Sequence, residues 1–498
     1  MSITIDASPQ SITTAYNENY FLIDSTNSSE SGFRYIVRIK IGSNTIGTYK
    51  VRPRPLDNKG ELDIKTILQN QLGEDYDPTL DAFTVMNNQR IDYTLEIDEE
   101  YLVSEAFIGY GFGASTINGG TWPNGNNPQF NPNGISRTML IHLTEPVYEQ
   151  GDVINVAQDN TVNFRPELEG IHTVLDKYLD GGTWYLVLDL PWIGSGAASP
   201  GDAFFADGKK TVFDGITSSS FRIWRGAFAQ DIFISYDNSE WVTTDSTSNL
   251  ITTLPEDVRI SRDKDTYLTC YNSTSGTLYV VFNIDGTLYR YSIGSTTDFI
   301  LFNAIPSDDN IEDILSGGTW SAFGGGLDLS NVKSYTVQIL DASNLKRSIE
   351  KTINLYSDCD KYDTYDVTFI DRLGSWITIP FNKGSYLNQQ VNKQKYRKKY
   401  GTFGPAEWGY SLMDRGITTY DIEEEITYTL NTGILSEVES QYMKELVSSP
   451  SVYISINGGP STAIDIITSS INLHKKRTKR DRIISIKFKK SVQDNING

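Results

Sequence analysis

Leu278-Tyr279-Val280-Val281-Phe282-Asn283-Ile284-Asp285-Gly286-Thr287-Leu288-Tyr289-Arg290-Tyr291-Ser292-Ile293 reads as two β-strands folded back on an Asp-Gly turn. β-branched and aromatic residues fill both arms, and Asp-Gly supplies the positive φ angles that a two-residue hairpin turn requires. The same grammar recurs on either side. Phe33, Tyr35, Val37, Ile39 and Ile41 alternate with Arg34, Arg38 and Lys40, the period-two pattern of a half-buried strand, and Gly42-Ser43-Asn44 returns the chain through Thr45 to Val51. Pro53 and Pro55 lack the amide donor and end ladder pairing there. Ile91, Tyr93, Leu95 and Ile97 alternate again and run into Asp98, Glu99 and Glu100, which are expected as exposed acids at a strand end. A further strand starts at Ser334 to Leu340. Near the C-terminus Val452 to Ile456 and Ile483 to Phe488 alternate, the second with Ile484, Ile486 and Phe488 on one face and Lys487 and Lys489 on the other. Such a Lys-rich terminal strand is expected at a sheet edge, where charge discourages aggregation.

Helical spacing is confined to short stretches. Asp63 is placed to cap Ile64, Ile67, Leu68 and Leu72, with Gly73 as the stop, and Ser436 with Glu439 forms a capping box for a helix over about 436–447 whose face is Val438, Tyr442 and Leu446. Gly-Gly-Thr-Trp occurs at Gly119 to Trp122, Gly181 to Trp184 and Gly317 to Trp320 at unequal spacing, which points to recurrent turn chemistry and not to a structural repeat. Residues 118–133, rich in Gly, Asn and Pro, read as a long surface loop carrying Trp122. The fold class that follows is mainly β: several small sandwich-like or barrel-like domains with a few short helices. At 498 residues the chain exceeds what one hydrophobic core organises. The expected division is an N-terminal β domain with one short helix over 1–165, a central β domain over 166–330, and a C-terminal β domain over 331–498.

Composition narrows the function classes. Apolar residues are only 38%, but 29 Tyr, 21 Phe and 8 Trp bury large areas per residue, which suits sheets with one wet face and argues against disorder of the whole chain. Two cysteines, Cys270 and Cys359, make no disulfide framework and lack metal-ligand spacing. The histidines His142, His172 and His474 stand singly, without the spacing of a zinc site or a catalytic triad. The first residues lack the basic and apolar regions of a signal peptide, and no window approaches a membrane span, so neither secretion nor membrane insertion is expected.

The net charge of -20 argues against wrapping nucleic acid with the bulk of the surface, yet the charge is uneven. Lys475, Lys476, Arg477, Lys479, Arg480, Arg482, Lys487, Lys489 and Lys490 lie together against the single acid Asp481, and Lys393, Lys395, Arg397, Lys398 and Lys399 cluster with no acid among them. Two basic patches on an acidic body suit docking between unlike surfaces, including the basic edge of one copy against the acidic face of the next.

Catalytic patterns are missing. Gly109, Gly111 and Gly113 lack the remainder of a dinucleotide fingerprint, and there is no Gly-x-Ser-x-Gly elbow, P-loop or His-Glu-x-x-His motif. Asp358, Asp360, Asp363 and Asp366 are spaced suggestively for calcium but lack the Gly and terminal Glu of an EF-hand loop. The expectation is no catalytic residue, no cofactor and no metal. The enzymatic alternative is a depolymerase of host polysaccharide using two carboxylates, and a noncatalytic glycan-binding protein stacking sugars on Tyr and Trp is its relative. Neither singles out a carboxylate pair here.

One further stretch, Tyr356 to Phe381, holds Cys359, Tyr362, Tyr365, Phe369, Asp371, Arg372, Gly374, Trp376 and Phe381. It resembles a segment recurring in virion tail proteins of phages that infect Bacteroidetes, the crAss-like phages among them, in which a Cys and spaced aromatics precede an Asp/Asn-Arg-aliphatic-Gly turn and a second aromatic strand. Tyr35 to Ile41, the Gly42-Ser43-Asn44 turn and Val51-Arg52-Pro53-Arg54-Pro55 look like the opening domain of the same proteins. Tyr428-Thr429-Leu430, a short helix, and Ser448-Ser449-Pro450-Ser451-Val452-Tyr453-Ile454 resemble their closing domain. The middle of the chain follows no part of that pattern. The resemblance implies a homo-oligomeric ring or hub, six- or twelve-fold, in the phage neck or short tail, joining portal to distal tail and surrounding DNA in transit. It implies assembly in the host cytoplasm and contact with other neck, tail or portal proteins. Phe369, Arg372, Gly374 and Trp376 are the residues expected to specify the fold, with Arg372 bonding nearby strand carbonyls and Gly374 permitting the turn.

Overall fold

The computed structural model describes residues 3–492 apart from 78–79, 81, 108, 113–136, 143, 159–168, 181, 192–203, 263–264, 357–361, 400, 434, 436 and 469–482. The chain is mainly β, with several separate sheets and, among the described residues, three short helices: α1 (Lys65–Gln69), α2 (Gln230–Phe233) and α3 (Glu437–Ser448). No sheet closes into a barrel among the described residues. Two compact units result, assembled from interleaved stretches: residues 1–11, 18–67 and 92–222 form the first, and 12–17, 68–91 and 223–498 the second.

In the first unit β1 (Arg34–Ile41) pairs antiparallel with β2 (Asn44–Val51) on one side and with the long strand β3 (Arg90–Phe107) on the other. β3 in turn pairs with β4 (Phe204–Thr217). The alternation read from the sequence is realised: Tyr35, Val37, Ile39, Tyr93, Leu95 and Ile97 are all buried. The acids Asp98, Glu99 and Glu100 are a correction. They are buried in the middle of β3, not exposed at its end. Register explains how they are tolerated, since β1 lies across this stretch with Arg34 opposite Glu100 and Ile36 opposite Asp98. Arg38 Nη1 reaches Asp98 Oδ2 at 2.5 Å, Lys50 Nζ reaches Glu100 Oε2 at 2.5 Å, and Glu99 accepts from Ser25 Oγ and Asn27 Nδ2, both at 2.6 Å. Buried carboxylates with such partners avoid the cost of an unpaired charge. Asp63 does cap α1, accepting from the Lys65 amide at 3.0 Å, but the helix ends at Gln69, short of Gly73.

In the second unit the hairpin β5 (Leu278–Ile284) and β6 (Thr287–Ser292) forms as read, with Asp285 at φ 50° and Gly286 at φ 85°. β5 continues onto β7 (Ser334–Asp341), which pairs with β8 (Lys351–Tyr356). A second sheet has seven strands. Its members are β9 (Tyr365–Ile370), β10 (Trp376–Phe381), β11 (Tyr386–Arg397), β12 (Ile417–Asn431), β13 (Val452–Ile456), β14 (Thr462–Ile466) and β15 (Ser485–Lys490), in the spatial order β10-β9-β13-β14-β15-β12-β11. Leu278, Phe282, Val337 and Phe369 of the two sheets share one apolar core with Ile486 and with Met443 and Leu446 of α3.

Two readings of the C-terminal region change. Ile486 and Phe488 of β15, and Ile484 just before it, are buried as the alternation requires, but β15 lies between β14 and β12 and is not an edge strand. The edge belongs to β11. The helix expected over 436–447 is α3, and its buried face carries Ser440, Met443 and Leu446; Ser436 of the capping box lies outside the described residues. The Gly-Gly-Thr-Trp copy at 317–320 is a hairpin turn closing Ser316 onto Thr319, and Asp180 pairs with Thr183 at the second copy, while Gly181, the copy at 119–122 and residues 118–133 lie outside the described residues.

Candidate functional site

Between β9 and β10 the chain reverses through Asp371-Arg372-Leu373-Gly374-Ser375, and this corner buries a carboxyl group. Asp371 is only 4% exposed. Its Oδ1 accepts from the amides of Leu373 at 2.9 Å and Ser375 at 2.8 Å, and its Oδ2 from the Thr253 amide at 2.8 Å and from the hydroxyls of Thr252 at 3.0 Å and Thr253 at 3.2 Å. A carboxylate offers about four lone-pair positions, so these donors use them all. The side chain therefore ties the turn to the 252–253 strand entry, with no oxygen left for a substrate. Burial, with the charge of Glu445 second, pushes the Asp371 carboxyl up to about 6.

Backbone contacts hold the corner's outer side. Trp224 Nε1 donates to Leu373 O at 3.0 Å and the Ala227 amide to Arg372 O at 2.6 Å. Gly374 has φ 99°, and a Cβ there would stand 2.5 Å from Arg225 O, so only glycine fits both the backbone angle and the space. Ser375 Oγ donates to Ile251 O at 2.6 Å and lies 2.8 Å from the Thr269 hydroxyl. Trp376 is fully buried, donates from Nε1 to Asp75 O at 3.1 Å, and packs at 4.7 Å from the ring of Tyr76, which stacks on Tyr453. Phe369 is fully buried beside it in β9.

Arg372 departs from the expected role. Its guanidinium is 44% exposed and faces Glu445 of α3 at 3.8 Å, away from the strand carbonyls; its backbone amide donates to Glu445 Oε2 at 3.1 Å. Thr253 Oγ1 also lies 2.7 Å from Glu445 Oε2, so its single proton is shared between the two carboxyls. Lys351 of β8 is buried nearby, donating to Leu254 O at 2.5 Å and Pro255 O at 3.2 Å, and burial lowers its ammonium to about 8 despite the nearby Asp371. Asp371, Thr252, Thr253 and Lys351 come together only in three dimensions. The sequence singled out Arg372 and Gly374 here, but nothing in its spacing reveals that the Asp beside them is the hub.

The basic patch at 393–399 sits elsewhere, on β11 and the residues after it. Lys393, Lys395, Arg397, Lys398 and Lys399 are all exposed, as is the whole of β11. β11 pairs along its length with β12, Tyr386 opposite Thr429 and Arg397 opposite Ile417, with a bulge between Gln394 and Lys395. β15 pairs with β12 only from Tyr428 to Asn431, so from Thr427 to Ile417 the two strands run on as a ribbon. That length is roughly 35 Å at the usual rise of ~3.3 Å per residue. Beyond it Trp408, Tyr410, Leu412 and Met413 are exposed, the last two at 100% and 90%. Lys475, Lys476, Arg477, Lys479 and Arg480 lie outside the described residues, as does Cys359. Among the described residues no group of three or more His, Cys, Asp or Glu is arranged to hold a metal ion, and no helix is long and apolar enough to cross a membrane.

No protein-family model matches the chain, and no curated protein matches it. Among solved structures it is similar to a 1.5-MDa bacterial ice-binding adhesin studied for its retention at the host cell surface, with 10% identity, 71% of this chain and 98% of that chain covered, and a TM-score of 0.11. It is also similar to a Ca2+-stabilized adhesin by which an Antarctic bacterium binds ice, with 11% identity, 93% of this chain and 97% of that chain covered, and a TM-score of 0.13. At such TM-scores neither likeness bears on fold or function.

Proposed function

We propose that this chain is a structural component of a phage virion, a ring or hub of the neck or short tail that joins portal to distal tail and works by self-association, without catalysis. The observation that carries the reading is the ribbon of β11 and β12, an exposed arm with Leu412 and Met413 bare at its far end. A two-stranded ribbon is marginal in water by itself, and apolar side chains left uncovered on it favour a partner surface. The resemblance of Tyr35 to Pro55, Tyr356 to Phe381 and Ser448 to Ile454 to virion tail proteins supplies the kind of assembly.

The test is mass spectrometry and immunogold labelling of gradient-purified particles of a phage encoding this chain. Stoichiometric presence at the neck or tail supports the reading, and absence from particles overturns it. Incubation of the purified chain with host capsular polysaccharide separates the enzymatic alternative, because shortening of the polymer would replace this proposal.

A further inference from the structure

The ribbon has two long edges with opposite charge. β11 is the terminal strand of its sheet, and along its outer edge and just past it lie Lys393, Lys395, Arg397, Lys398 and Lys399. On the other side, among the described residues, no strand pairs with β12 from Ile417 to Thr427, and that stretch carries Asp421, Glu423, Glu424 and Glu425. Unpaired strand edges are templates for another strand, and one edge here is basic where the other is acidic.

The faces of the ribbon differ as well. The register puts Leu387 opposite Tyr428, Gln389 opposite Ile426, Val391 opposite Glu424 and Lys393 opposite Ile422, so Leu387, Val391, Ile422, Ile426 and Tyr428 share one face with Gln389, Glu424 and Lys393. Asn388, Gln390, Asn392, Glu423, Glu425 and Thr427 share the other. This is the period-two pattern of a strand pair with one covered face, although Leu387 and Val391 remain 53% and 42% exposed.

We infer that the occupant is a second copy of this chain: the basic edge of β11 in one copy pairs antiparallel with the acidic edge of β12 in the next, which extends the sheet from copy to copy. Hairpins pointing the same way and laid side by side alternate β11, β12, β11, β12, so every junction is antiparallel without any strand reversing. The contact is head-to-tail: it uses two different surfaces of each copy and closes into a ring when the rotation permits. Pairing identical edges would instead set Lys393, Lys395 and Arg397 against themselves. The apolar residues of adjoining ribbons then lie on one face of the extended sheet. This inference names the contact behind the self-association proposed above and rests on that reading.

Two charge-reversed full-length chains test it by size-exclusion chromatography with light scattering. In one, Lys393, Lys395 and Arg397 become Glu (K393E, K395E, R397E); in the other, Asp421, Glu423 and Glu424 become Lys (D421K, E423K, E424K). The wild-type chain is expected to form oligomers whose yield falls as salt rises, each variant alone to lose them, and an equal mixture of the two to regain them, because the acidic β11 of the first then meets the basic β12 of the second. Recovery on mixing also shows that the variants are folded. Oligomers formed by both variants alone, loss that mixing does not reverse, or a wild-type chain monomeric at every concentration overturns the inference. The virion reading is judged separately by the particle composition, so either can fail without the other.

Discussion

The two edge strands of the seven-stranded sheet meet opposite fates. β10 buries five of its six residues, and the corner that feeds it at Asp371 is locked by donors from Thr252, Thr253, Leu373 and Ser375. β11, at the other end of the same sheet, has all twelve residues exposed. Edge position alone therefore does not decide exposure. β10 is covered because Tyr76, Trp224 and Tyr453 pack over Trp376 and its corner, while among the described residues of the second unit none covers β11. A strand pair that costs conformational order yet buries little belongs to a contact outside the monomer, whereas the corner belongs to the fold.

That contrast can be broken or sharpened by substitution, beginning with the largest effect. Asp371→Ala strands three amides and two hydroxyls in a buried site and is expected to cost on the order of 3–5 kcal/mol in chemical denaturation. A loss like that of a surface variant would remove the corner from the fold's supports. The pH dependence comes next. Because the folded carboxyl sits at about 6, above the 3.8 of an unperturbed Asp, the native state holds a proton that the unfolded chain has released between those values. Its contribution to stability is thus full below pH 3.8 and is lost as pH rises through 6, an effect on the order of 3 kcal/mol. Wild type compared with Asp371→Asn from pH 4 to 7 isolates it from the other carboxylates: wild type should lose stability relative to the variant across that window, and parallel curves would contradict the assignment.

Gly374→Ala follows, at about 2–3 kcal/mol, since the methyl group meets Arg225 O and the backbone angle is strained for any side chain. Smallest is the Lys393, Lys395 and Arg397 reversal to Glu on the ribbon. Unfolding of the dilute monomer should move by no more than about 0.5 kcal/mol per substitution. A large loss there would mean that the ribbon supports the monomer after all.

How much of this could be read beforehand varies with the physics involved. The hairpin at 278–293, the buried alternation of β1 and β3 and the inward face of β15 were legible because side-chain direction in a strand follows from residue number alone. Gly374 was legible because a positive φ selects glycine. The burial of Asp98, Glu99 and Glu100 was not: an acid run resembles a strand end until register brings Arg38 and Lys50 across it. Nor was the place of β15, whose lysines suggest an edge that β11 in fact occupies.

The sequence by itself determined that this chain is built of strands, where several of them turn, and which side of each is apolar, since these depend on neighbours one to four residues apart. Tertiary structure alone decided which strands stand side by side, that the chain's stretches interleave into two units, that Asp371 and not Arg372 is the hub of its corner, and that the basic strand β11 stands uncovered. Those outcomes depend on hydrogen bonds and packing between residues such as Thr253, Asp371 and Glu445, whose separation along the chain leaves no periodic trace.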